Sequence, residues 1–181
     1  MGAARYWTCV CAVALGVAGL LPGSAGAAVT LGSPNIDQTI TDFGAGCGSE
    51  LCVFVQSRLP GVQLRAPFPG TIFNWHVVSP GVHSYQLVVM RKKRHGKFKN
   101  VGQSSPGMTP GFGEYEFPAD LHVRKGDRIG LMSDGVQGIF NTQAKTLTFD
   151  PAVQFPNSRK PSFRGGDEYQ FNATMRRQRR H

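Results

Sequence analysis

Acidic side chains are scarce in this chain: 11 Asp and Glu stand against 20 Lys and Arg, a formal net charge of +9 over 181 residues. The long-range field of such a protein favours anionic partners. Cysteine is scarcer still. Of four, Cys9 and Cys11 lie in the first 27 residues, which leaves Cys47 and Cys52. Their spacing is not C-x-x-C and no second pair of ligands accompanies them, which argues against a zinc or redox centre. Long apolar runs are missing. The longest, Cys9 to Leu21, is 13 residues, short of the roughly 20 that cross a bilayer. Helical periodicity is missing too: no window keeps apolar residues at i, i+3, i+4 and i+7 over three turns. Catalytic signatures are absent. There is no G-x-S-x-G and no H-E-x-x-H, and Gly165-Gly166 precedes a strand pattern rather than a helix, the wrong context for cradling phosphate.

What is present begins with a leader. Arg5 is its charged residue, Cys9 to Leu21 its apolar stretch, and Ser24-Ala25-Gly26-Ala27 an A-x-A cleavage site. Residues 1–27 read as a signal peptide. The remaining 154 residues are enough for one domain with a real core, assigned here to 28–175, with a basic tail at 176–181. In an exported chain the pair Cys47 and Cys52 reads as a disulfide. It closes a short loop and contributes roughly 2 kcal/mol by chain entropy.

The remainder reads as strands. Gly70 to Arg91 is organised around Ser79-Pro80-Gly81, a type II turn signal. Thr71, Phe73, Trp75 and Val77 alternate before it; Tyr85, Leu87 and Val89 alternate after it. A period of two places successive side chains on opposite sheet faces, so this stretch is expected to be a hairpin. Further short strands are expected at 28–31, 38–42, 51–56, 62–66, 97–102, 112–117, 121–124, 128–132, 138–141, 146–149 and 168–175. Ser104 to Gly111 and Pro151 to Gly166 read as loops, and His95-Gly96 as a hairpin tip. Short strands at this spacing, each with one apolar and one polar face, predict an all-β, antiparallel two-sheet sandwich. A jelly roll of eight strands is the first expectation, an immunoglobulin-like sandwich the second.

Four elements together carry a resemblance: Cys47-Gly-Ser-x-x-Cys52, Pro69-Gly70 leading to Trp75, LHVRKGDRIGLMSDG from Leu121 to Gly135, and YQFNATM from Tyr169 to Met175. In these the chain resembles uncharacterised secreted β-sandwich proteins of actinobacteria, over nearly all of its length after the leader. The resemblance implies a fold and no catalytic set. The basic runs are not expected of that group. The L-x-V-x-x-G-D-x-I-x-L pattern is also similar to a strand–turn–strand piece of jelly rolls, with Gly126 in the turn and Asp127 bonding its backbone.

Ten of the 19 cations after the leader sit in two runs. One holds Arg91, Lys92, Lys93, Arg94, Lys97 and Lys99; the other holds Arg176, Arg177, Arg179 and Arg180. These are the candidate polyanion-binding residues, with Phe98 placed to stack on a base or sugar. The alternative is a charged hairpin that protects a sheet edge and a solubilising tail. Other candidates each have a plainer reading. His76 and Asn74 share a face, yet a solvated sheet histidine explains them. Glu114 and Glu116 lie about 7 Å apart along one strand face, reachable for a glycosidase pair and equally the spacing of any two outward glutamates. Asp127 and Asp134 suit a calcium site or simply their turns. Asn172-Ala173-Thr174 is a sequon inside a strand pattern.

The expectation is a secreted or cell-surface, non-enzymatic module for an anionic envelope or extracellular glycopolymer, without cofactor or metal. Nucleic acid is an awkward partner for an exported protein. A carbohydrate-active hydrolase with a shallow site and a structural surface or matrix protein are the alternatives.

Overall fold

A computed structural model describes residues 27–36, 43–48 and 51–178. The signal-peptide stretch and the strand expected at 38–42 lie outside the described residues. In chain order the strands are β1 (Val29–Gly32), β2 (Phe43–Gly46), β3 (Cys52–Arg58), β4 (Gly70–Lys92), β5 (Phe98–Gln103), β6 (Gly107–Val123) and β7 (Arg128–Ser133). They continue with β8 (Gly135–Phe140), β9 (Lys145–Phe149), β10 (Ser158–Arg159), β11 (Phe163–Gly165), β12 (Asp167–Tyr169) and β13 (Phe171–Arg177). A single 3-10 turn, Arg94–Gly96, is the helical element among the described residues. The fold is all-β, and every pairing is antiparallel.

The pairing register shows how the sandwich is built. Val123 of β6 lies opposite Gly70, and Arg128 of β7 lies opposite Met90. Only the turn 124–127 joins β6 to β7, a reach of at most about 18 Å. A straight strand from Gly70 to Met90 would span roughly 66 Å. So β4 doubles back on itself. Its first part, with β1, β13 and β6, makes sheet I; its last part, with β5, β7, β3 and β9, makes sheet II. Sheet III, in the order β12-β8-β2, extends the layer of sheet I. Val78 N donates to Gln170 O and Gln170 N to Gln137 O, both at 3.0 Å, across that seam.

The hairpin expected at Ser79-Pro80-Gly81 is therefore a corner within one continuous strand. The turn residues do not reverse the chain because each has a partner on β6: Ser79 opposite Gly113, Pro80 opposite Phe112, Gly81 opposite Gly111. The expected loop at 104–111 prolongs that partner strand: Gly107 to Gly111 belong to β6 and lie opposite Tyr85 to Gly81. Gly107 is obligatory there, as a Cβ would meet the Phe117 ring at 2.7 Å. On the concave side of the corner Ser79 Oγ lies 3.1 Å from Tyr85 OH and 2.9 Å from Thr109 Oγ1. Burial holds the Tyr85 hydroxyl up at about 12.

Two cores follow. The first lies between the layers, with Trp75, Tyr85, Phe54, Ile72, Leu87, Leu131 and Phe171 fully buried. Phe73 is not among them: a bulge between Ile72 and Asn74 turns it outward, under the Arg176 guanidinium. The second lies on the outer face of sheet II, where Val53, Val55, Val88, Met90, Met132, Leu147 and Phe149 are covered by Ala152 and Val153. The stretch 151–166 is thus more than the surface loop expected. Asn100 Nδ2 donates to Val153 O at 2.9 Å, Asn100 N to Asn157 O at 3.0 Å, and Ala152 N to Leu51 O at 2.8 Å. Strands of sheet II have no polar face along this core, as the unbroken burial of Cys52 to Gln56 requires. Residues 62–66, expected as a strand, run without regular structure. The last strand breaks at Gln170, where the chain passes from sheet III to sheet I. Cys47 and Cys52 are bonded, their Cα atoms 5.8 Å apart.

Candidate anion-binding site

Strands of sheet II meet one pole of the sandwich with cationic residues. β4 arrives there at Lys92, β3 at Arg58, and β7 and β9 leave it at Arg128 and Lys145. The β4–β5 connection carries Lys93, Arg94 and Lys97 beyond that edge. Its tip forms as expected: Lys93 N donates to Lys97 O at 2.8 Å, and His95 and Gly96 take positive φ, 56° and 71°. The turn between β6 and β7 adds Arg124 and Lys125. Arg65 joins through its neighbour, since Ala66 N donates to Asp127 O and Gly126 N to Ala66 O, both at 2.8 Å.

Sheet I meets the same pole with the C-terminal run. Arg176 lies opposite Thr71 and Arg177 opposite Gly70, so both belong to β13 and not to a tail. Each sits over a ring: Arg176 5.6 Å from the Phe73 centroid, Arg177 4.7 Å from that of Phe68. Such stacking fixes the guanidinium planes while leaving the charge at the surface. Arg179, Arg180 and His181 lie outside the described residues.

The fold thus brings the two runs together and adds Arg58, Arg65, Arg124, Lys125, Arg128 and Lys145, which the sequence did not single out. Those six come from four separate stretches of the chain, and only strand register reveals that they share an end. Arg91 leaves the set. Its Nε and Nη2 donate to Asp127 at 2.7 and 2.6 Å, and Asp127 also accepts Arg124 N at 2.8 Å. That hydrogen-bonded pairing holds the Arg91 guanidinium above its usual value. The Asp127 charge is thereby neutralised within the fold. Asp167 lies beside Gln56 at this end, its backbone carbonyl accepting Gln56 Nε2 at 3.1 Å. Phe98 is unavailable for stacking on a ligand: it is buried in the second core, edge-on to Phe149 at 5.6 Å. Lys92, Lys93, Arg94 and Lys97 are exposed, and Lys99 is half-buried beside β10.

The remaining candidates lie elsewhere. On the outer face of sheet I, His76 sits between the two glutamates, 3.6 Å from Glu114 and 3.5 Å from Glu116, and Asn74 Nδ2 donates to Glu116 at 2.5 Å. The glutamates project side by side from one strand instead of facing each other across a cleft. Asp134 pairs with His83 Nδ1 at 2.7 Å at the far pole. Burial would raise the Asp134 carboxyl, but hydrogen bonds from His83 and Ser133 outweigh it and hold the group below the usual carboxylate range. Asp127 and Asp134 stand at opposite ends of β7, roughly 20 Å apart by strand rise, so they cannot ligate one ion. Among the described residues no group of three or more His, Cys, Asp or Glu is placed to hold a metal. Asn172 Nδ2 donates to Ser33 O at 2.9 Å inside the sheet. Two open grooves of about 410 and 310 Å³ follow the seam between β5 and β6, past Gln103, Ser105, Asp120, His122 and Phe155. No described helix is long and apolar enough to cross a membrane.

No family model matches the chain, and no curated protein is similar to it.

Proposed function

We propose that this is an exported, non-enzymatic module that holds an anionic envelope or extracellular glycopolymer at its cationic pole. One observation carries the reading: cations from both basic runs and from six further positions gather at one end of the sandwich, and the Asp127 charge among them is cancelled by Arg91. Spread evenly over the surface, the same charges would serve solubility alone. Gathered, they raise the local concentration of a polyanion and bind it in a salt-dependent way. The leader and the bonded cysteines support export.

The test is binding of the purified protein to anionic glycopolymers at two salt concentrations. Tight binding that weakens with salt is expected, and charge reversal of Lys92, Lys93, Arg94 and Lys97 together should abolish it. Binding that survives that reversal, or that ignores salt, would sink the proposal.

A further inference from the structure

Most cations at the pole are exposed, as lysines and arginines ordinarily are. Arg128 is not. It is 8 % exposed, lies opposite Met90 on β7, and shares its face with the second core. A guanidinium has five N–H donors. Its Nη1 donates to the Gln56 carbonyl at 3.3 Å. No carboxylate pairs with it among the described residues, and the charge that acts on it most is another cation, Arg65. Burial, followed by Arg65, pulls its guanidinium down to about 10, so it stays charged at neutral pH.

A desolvated charge without a counter-charge is expensive, and methionine or leucine would fill the same place on an apolar face at less cost. Asp127 next to it in sequence cannot serve, being bonded to Arg91 from the other side of the turn. The fold gives this guanidinium one neutral acceptor, the Gln56 carbonyl, and no counter-charge. A guanidinium held in place by the Gln56 carbonyl, without a counter-charge and beside Arg65, whose neighbour Ala66 donates its N–H to Asp127 O at 2.8 Å, is set to take an anion. A planar carboxylate is satisfied by one guanidinium fork. A tetrahedral oxyanion offers oxygens in more than one plane and can serve two.

We infer that Arg128, with Arg65 beside it, forms a discrete site for one tetrahedral oxyanion, a phosphate or sulfate ester borne by the polymer. The inference rests on the proposed function and names the ligand chemistry at the same pole. The exposed lysines supply affinity for any polyanion; Arg128 supplies the preference among them.

Binding is measured for polyphosphate, dextran sulfate and the carboxylate polymer polygalacturonate at one ionic strength, using wild type, Arg128→Met and Arg128→Lys. Loss of Arg128 should weaken polyphosphate or dextran sulfate binding about 10- to 100-fold, the size of one charge-assisted hydrogen bond. Binding to polygalacturonate should change less than about twofold. Arg128→Met should melt at or above the wild-type temperature, as expected when a buried unpaired ion gives way to an apolar chain. An arginine serving only structure would give the reverse: a lower melting temperature and unchanged selectivity, which overturns the inference. Arg128→Lys keeps the charge and loses the fork, so it should retain part of the affinity and none of the selectivity. Should the wild type bind no polymer, the proposed function falls, and thermal stabilisation by inorganic phosphate or sulfate over chloride then decides on Arg128 alone. A stabilisation lost in Arg128→Met and reduced in Arg128→Lys supports the site; no stabilisation in wild type, or one that Arg128→Met keeps, removes it.

Discussion

Asp127→Asn should make the protein less stable and its pole stickier. Asp127 is 2 % exposed and accepts three bonds, from Arg91 Nε, Arg91 Nη2 and Arg124 N. An asparagine of the same shape turns one accepting oxygen into a donor aimed at a donor and removes the charge. Breaking a buried ion pair costs about 3–5 kcal/mol. Arg91 is 24 % exposed and recovers some hydration, so about 2–4 kcal/mol is the better figure. At about 2–4 °C per kcal/mol for a chain of this size, calorimetry should record a fall of roughly 5–15 °C. The freed Arg91 meanwhile adds one uncompensated charge to the pole. If it engages the polymer, the salt slope of binding should steepen by about 0.7–0.9, the value per neutralised phosphate. The opposite signs are the point of the experiment, since a variant that merely unfolds would lose both stability and binding. A melting temperature within about 2 °C of wild type, or a shallower salt slope with the fold intact, would refute the argument.

Phe149→Ala should cost about 3–5 kcal/mol in denaturant unfolding, because the ring is fully buried on the outer face of sheet II against Phe98; a cost under about 1 kcal/mol would mean that the second core is not one. Gly130→Ala should destabilise by about 1–3 kcal/mol, since the new methyl would sit 2.9 Å from Val55 and 3.0 Å from Val53. The depressed Asp134 carboxyl contributes stability that is present above its unfolded pKa and lost as pH falls through the lower folded value. Asp134→Asn should therefore lower stability at neutral pH, where the contribution is complete, and converge on wild type in acid, flattening the acid limb of the stability curve below the ordinary carboxylate range. The raised Tyr85 hydroxyl has the opposite sense, its contribution being complete below an unfolded value near 10 and lost as pH rises through about 12. Absorbance titration of the tyrosines should show one late-ionising group that Tyr85→Phe removes.

The sequence carried the fold class because alternation is local. Tyr85, Leu87 and Val89 face one core wherever β4 runs, and Tyr169, Phe171, Ala173 and Met175 are all buried as their spacing predicts. The tip at His95-Gly96 and the turn at Gly126-Asp127 were legible for the same reason, each being set by its own few residues. The corner at Ser79-Pro80-Gly81 was not. Proline and glycine there mark a change of direction, but whether a strand reverses or bends depends on what lies opposite, here Gly113, Phe112 and Gly111. The second core was hidden likewise: Val53, Val88 and Leu147 alternate correctly, and only the 151–166 segment laid over them makes their face an interior. Of the site, the two basic runs were visible because their charges are consecutive. Arg58, Arg65, Arg128 and Lys145 were invisible as a group, and the loss of Arg91 to Asp127 joins two positions 36 residues apart.

The way the first and last strands pair bears on any attempt to handle this protein. Val29 lies opposite Met175, and Arg177 opposite Gly70. Both ends of the described domain therefore emerge beside the cationic residues. An affinity tag, a fluorescent fusion or a surface-coupling handle placed at either end would crowd the face under study, and an acidic linker would compete for it. The bend at Asp134, at the far end of β7, is the better place for attachment, leaving the opposite pole open to solution.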